Sequence, residues 1–227
     1  MRLAASRADK DEANDLAGSV IFRVAALHGL ILALVFAQEL FSYQEVRGAL
    51  VREATAVADI YYDFERYDPK TAQFMQTAIV EYAQTVVDEE WQLLAEERRL
   101  SSAAWAKREF IYLTALNLNP KTPREVALRD HMLRKIQQVA EMRQARENSA
   151  LNPINMLFWV PAIVGLFLVA MPYFVFSPTL LNMTLLSVYG GFSGLVLFVI
   201  FAFSDPFSPP NKLEPLAFQR LLENFQK

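Results

Sequence analysis

The sequence predicts an all-α integral membrane protein, with three transmembrane helices and a helical domain inserted between the first and the second. Three observations predict it. Apolar residues make up 53% of the 227 positions. They gather near the start and in the last third, as in a membrane protein that carries a polar domain. Glycine is scarce and apolar positions recur at helical spacing, never in strand-like alternation. Two stretches, Met156–Phe176 and Thr179–Phe203, hold no charged residue and are long enough to cross about 30 Å of hydrocarbon.

The expected organisation is a polar tail over 1–17, a first span over 18–42, a cytoplasmic helical domain over 43–150 that continues from it, spans over 154–176 and 179–203, and a C-terminal tail over 204–227. The tail mixes Arg2, Arg7 and Lys10 with four acids, so it reads as solvated and not as a secretion signal.

The chain is organised around the stretch from Gly18 to Tyr67, which contains no proline. Its first part, Ser19–Phe41, is apolar and of spanning length. Arg23 sits near one end, where it can snorkel, and Glu39 near the other. His28 lies deeper, and an ionisable group at that depth is a functional candidate as well as a partner for a neighbouring helix. Beyond Phe41, Tyr43, Leu50, Val57 and Phe64 form one stripe with a seven-residue spacing, the seam of a helix that packs on others. Glu53 falls on that seam. A carboxylate there is costly unless paired, so a structural ion pair with an arginine of another helix is expected. As one helix the stretch is about 75 Å long.

Asp68-Pro69 ends this helix, and a second is expected from Lys70 to Arg99. Ser101-Ser102 can cap a third, to Leu116. Thr122-Pro123-Arg124-Glu125 begins a fourth with a capping box. The fourth helix carries Arg124, Arg129, Arg134, Lys135, Arg143 and Arg146, read as a solvated face or a surface for anions and acidic headgroups. Asp88-Glu89-Glu90 also reads as solvated, since adjacent carboxylates on a helix point in different directions.

Asn152-Pro153 repeats the cap-then-proline device. In the second span Pro172 should bend the helix. Ser177-Pro178 leaves room only for a hairpin into the third span. There Ser187 with Gly191, and Gly190 with Gly194, are spaced to let helices approach closely in lipid. Lysine and arginine favour one side: Arg47, Arg52, Arg143, Arg146, Lys212 and Arg220, against Arg2, Arg7 and Lys10. The positive-inside rule then places the helical domain in the cytoplasm.

Function classes narrow accordingly. A net charge of −3 gives no reason to expect nucleic acid. Without cysteine there is no thiol chemistry. His28 and His131 fall on different sides of the expected membrane boundary, and no nucleophile elbow or phosphate-cradling loop is present. No catalytic residue, metal site or cofactor is expected.

Several segments together resemble a known family. Tyr43-Gln44-Glu45-Val46-Arg47 is followed by Glu53-Ala54. Tyr82 is followed by Glu90-Trp91. After the last span come Asp205-Pro206-Phe207-Ser208, then Leu213, Pro215 and Phe218. This order is similar to the bestrophin-like family of bacterial membrane domains, over roughly Ser19 to Leu222. Two departures stand out: a polar segment where many members have a further span, and Ser208 where the family tends to have glycine. The family is more distantly similar to the bestrophins, pentameric anion channels with a neck of apolar side chains one turn apart. The resemblance implies a homo-oligomer in a bacterial inner membrane, conducting an anion such as chloride. Leu32, Phe36 and Leu40 have the neck's spacing. The acidic calcium-binding run of animal bestrophins is absent after Phe207. The alternative is a structural or accessory subunit of a larger membrane complex, with a non-self interface and no activity of its own.

Overall fold

The computed structural model describes residues 7–152, 154 and 156–226. Arg2 of the charge tally and Pro153 of the cap-then-proline pair lie outside the described residues. Among those described there are helices and connecting turns but no strand. The chain divides into two compact units, Met1–Phe41 with Ile154–Ser204, and Ser42–Pro153 with Asp205–Lys227.

Helix α1 runs unbroken from Arg7 to Tyr67 and contributes to both units. No proline interrupts its hydrogen-bond ladder, and it takes in the mixed-charge segment from Arg7 to Ala17.

The first unit adds α6 (Met156–Ala170) and α7 (Leu180–Ser204). With α1 they are three helices long and apolar enough to cross a membrane. The α-helix of α6 gives way to a 3-10 segment, Met171–Val175; Pro172 has no N–H to continue the α ladder. Leu32 and Val35 of α1, Ala162 of α6 and Ile200 of α7 form a small core. Most other apolar side chains point outward, among them Leu34, Phe167 and Val188, each more than 60% exposed. Water would penalise so much apolar surface, whereas lipid tails do not.

The second unit packs the later turns of α1 with α2 (Pro69–Thr85), α3 (Trp91–Glu96), α4 (Ser102–Leu116), α5 (Pro123–Leu151) and α8 (Leu216–Phe225). The helix starts follow local chemistry. Asp68 accepts from the backbone N–H of Lys70 and Thr71, both at 3.2 Å. Ser101 accepts from Ala104 at 3.2 Å. Thr122 and Glu125 form a capping box. Leu50, Val57 and Phe64 of α1 meet Met75, Ile79, Ile136 and Val139 in the core.

The helix expected over Lys70–Arg99 runs from Pro69 to Glu96. A π-helical segment, Val86–Glu90, interrupts its α-turns once. Its wider turn brings Tyr82, Val86, Glu90 and Trp91 to the same buried side. Arg98, just past the end of α3, has φ 57°. That left-handed backbone is unfavourable for a side chain with a Cβ. The guanidinium is tied down in compensation, paired with Asp205 at 2.6 Å and donating to the Ala150 carbonyl at 3.2 Å.

Candidate functional site: the first span and a buried ion network

In the first unit His28 joins all three spans. Its Nε2 lies 2.8 Å from the carbonyl oxygen of Ala162 on α6, and its Nδ1 lies 2.5 Å from the hydroxyl of Tyr189 on α7. A carbonyl only accepts, so Nε2 carries the hydrogen. A neutral ring then accepts at Nδ1 from the tyrosine hydroxyl, and both nitrogens are satisfied. His28 is only 2% exposed. Gly165 makes the approach possible, because a Cβ there would sit 2.3 Å from the ring's Cδ2.

The other sequence candidates in the spans have different surroundings. Arg23 is exposed and Glu39 half-buried. Leu32 is 5% exposed and packs with Ala162 and Ile200. Phe36 is half-buried, edge-on to Phe203 at 6.3 Å between ring centres, and Leu40 is also half-buried. The outward face of α1 instead carries Leu27, Leu30, Leu34 and Phe41, all more than half exposed. On α7, Ser187, Gly191 and Gly194 are exposed and Gly190 half-buried. A Cβ at any of these three glycines would meet nothing within 4 Å, so the glycine that permits close packing within the chain is Gly165.

In the second unit four charged side chains share one buried site. Glu53 of α1, Glu90 of the π segment, and Arg143 and Arg146 of α5 are each at most 2% exposed. Arg146 bridges the two acids, donating from Nη1 to Glu53 at 2.7 Å and from Nη2 to Glu90. Arg143 donates from Nη2 to Glu90 and to the Ser101 carbonyl. The Ser101 N–H donates to Glu90 at 3.0 Å, and the Tyr82 hydroxyl to Glu53 at 3.2 Å. Trp91 lies under the Arg146 guanidinium, 5.3 Å from its carbon, and Trp105 and Tyr82 flank that of Arg143.

Two expectations are corrected here. Glu90 leaves the solvated acidic run, and Arg143 and Arg146 leave the solvated basic face. The spacing held the clue for the arginines. Met132, Ile136 and Val139 form the buried stripe of α5, and Arg143, Arg146 and Ala150 continue it. The same holds for Glu90, which continues the buried row of Met75, Ile79, Tyr82 and Val86 at helical spacing.

The two carboxylates are tuned apart. Burial pushes Glu53 above the usual glutamate range, only partly offset by Arg146. Burial acts on Glu90 too, but Arg146 and Arg143 outweigh it and hold this carboxyl below the usual range. Burial, then Glu53, drive the Tyr82 phenol well upward. Such an arrangement neutralises itself. It joins α1, the π segment and α5 through paired charge.

A latch of aromatic and backbone contacts adjoins it. Phe207 is fully buried, edge-on to Trp91 at 5.9 Å. The Trp91 indole N–H donates to the Leu213 carbonyl at 2.7 Å, and the Leu213 N–H to that of Pro206 at 2.7 Å. Asp205 accepts from the Phe207 N–H at 3.1 Å. Among the described residues no group of three His, Asp or Glu could hold a metal ion.

These features define a class: a helical membrane protein with apolar spanning helices and a helical unit locked by buried charge. The model of the bestrophin-like domain matches residues 1–218, and the chain belongs to the bestrophin-like family. It is similar to the crystal structure of an isoleucine-to-threonine mutant of a bacterial bestrophin homolog from Klebsiella pneumoniae. The TM-score is 0.72 at 13% identity, over 91% of this chain and 87% of that one. At that identity the likeness speaks for the fold. No curated protein matches the chain.

Proposed function

We propose that the chain is the subunit of a homo-oligomeric anion channel of the bacterial inner membrane, with α1 lining the conduction path. The outward apolar stripe of α1 carries this reading. Leu30, Leu34 and Phe41 are 57%, 63% and 69% exposed and recur at helical spacing on a helix that runs on without a break into the second unit. Copies arranged around an axis would gather these side chains into a constriction that gates by dewetting. The neck therefore moves from Leu32, Phe36 and Leu40 to the outward stripe, since Leu32 packs inside its own bundle. Small residues at Ser187, Gly190, Gly191 and Gly194 leave α7 open to a neighbouring copy.

Orientation rests on Arg47, Arg52, Lys212 and Arg220, all exposed. Arg143 and Arg146 drop out of the count because the ion network consumes them. The remaining four support a cytoplasmic second unit by the positive-inside rule.

The test is chloride flux in vesicles containing only this protein, with the particle's subunit count taken from the same preparation. The expected result is an assembly of about five copies, as in the bestrophins, that conducts chloride, with Leu34→Ala conducting faster than wild type. A single-copy particle, or flux equal to that of empty vesicles, overturns the proposal.

A further inference from the structure

The second unit contains a groove of about 600 Å³ between α1 and the C-terminal segment that ends in α8. Its floor is apolar, built from Leu50 and Ala54 of α1 with Leu213 and Leu221 opposite. Its rim is basic. Arg47, Lys212 and Arg220 line it, against one acid, Glu214. All three cations are exposed, and none has an ion pair among the described residues. Most other basic side chains of this unit behave differently: Lys107, Lys135, Arg98 and Arg108 each hold a carboxylate within 3.0 Å. Unpaired cations beside an apolar trough suit a ligand with an anionic head and an apolar body.

The sequence positions of these residues narrow the ligand. Tyr43, also in the lining, is two residues beyond Phe41, where the first unit's share of α1 ends. Arg47 is about one turn further along the same helix. Lys212 is eight residues past Ser204, the end of α7. Both walls thus begin within eight residues of the first unit's share of α1 and of the end of α7, two helices long and apolar enough to cross a membrane. Acidic headgroups attract basic groups in such a place, and cavities of this volume are of ligand size.

We propose that this groove binds an acidic phospholipid. The phosphate sits among Arg47, Lys212 and Arg220, and the first carbons of the glycerol and acyl chains lie over Leu50 and Leu213. This holds whether or not the assembly conducts. Because the groove joins α1 to the C-terminal helix, an occupied site ties those two segments together.

The experiment uses the full chain in detergent and counts bound lipid by native mass spectrometry. The probes are phosphatidylglycerol, phosphatidylcholine of the same chain length, and inorganic phosphate as competitor. Phosphatidylglycerol should bind in preference to phosphatidylcholine. Lys212→Gln with Arg220→Gln should weaken it about thirtyfold, the effect of removing two basic groups at an acidic surface. Thr55→Trp, at an exposed lining position, should block binding without changing charge, while circular dichroism of both variants stays that of wild type. Equal binding of the two lipids overturns the proposal. So does full displacement by inorganic phosphate at a concentration matching the lipid, which makes this a free-anion site. Loss of subunits from the particle in the Thr55→Trp variant, with lipid binding intact, makes the groove an interface between copies and also overturns it.

Discussion

Gly165→Ala places a methyl group where the structure has no room for one. The added Cβ would lie 2.3 Å from Cδ2, 2.8 Å from Cγ and 3.0 Å from Nε2 of His28. Ordinary carbon contacts begin near 3.4 Å, so the imidazole must retreat by about 1 Å. It cannot do so and keep bonds of 2.5 and 2.8 Å to Tyr189 and Ala162. Losing one such bond between spans costs about 1 kcal/mol, and forced overpacking a further 1–3 kcal/mol. The expected loss is about 2–4 kcal/mol. It can be read from unfolding in mixed micelles by tryptophan fluorescence, with Trp159 packed against the same small core. Gly29→Ala is the control, because a Cβ there meets nothing within 4 Å and alanine favours the helix by up to about 1 kcal/mol. His28→Ala should then make the methyl tolerable, so that the double variant is no less stable than His28→Ala alone. A Gly165→Ala protein as stable as wild type, or a double variant that shows the summed losses, would refute the clash.

The ion network predicts unequal costs for its two acids. Glu90→Gln strips Arg143 of its carboxylate and halves the pairing of Arg146, so it should cost about 3–5 kcal/mol. Glu53→Gln leaves the contacts of Glu90 in place and removes a carboxylate that burial already disfavours, so it should cost clearly less; chemical denaturation of the two variants compares them. The same network gives a pH signature. Glu53 is raised above its ordinary 4.5 in the folded state, so stability should increase as pH falls from neutrality through that raised value. Glu90 and Asp205 are lowered, so the stability they confer is present above the ordinary carboxylate range and lost as pH falls through their folded values. Thermal unfolding followed from pH 7 downward should rise and then drop, and Glu53→Gln should lose the rising limb alone.

Several local features were written in the chain. Asp68, Ser101 and Thr122 cap helices because a short polar side chain beside a helix start can reach free N–H groups a few residues away, whatever the rest of the fold does. Uncharged runs at Met156–Phe176 and Thr179–Phe203 marked spanning helices by length and composition alone. The seven-residue stripe through Leu50, Val57 and Phe64 marked a packing seam. Each of these depends on interactions within a few turns of one segment.

Tertiary structure decided the rest. Nothing near Glu53 in sequence says that its partner is Arg146, 93 positions away. Arg143 and Arg146 read as surface charge until the stripe from Met132 to Val139 is followed through them. Glu90 lies four residues past Val86 in a buried row, yet within an acidic triplet it reads as solvated until Arg143 and Arg146 stand beside it. Which face of α1 is outward, and therefore that Leu34 and not Leu32 is free to meet a neighbour, depends on where α6 and α7 pack. Gly165 was no more conspicuous than Gly190 or Gly194 until His28 was found lying across it. Buried charge, register and facing are settled by groups far apart in the chain, because burial itself is a property of what the other helices cover.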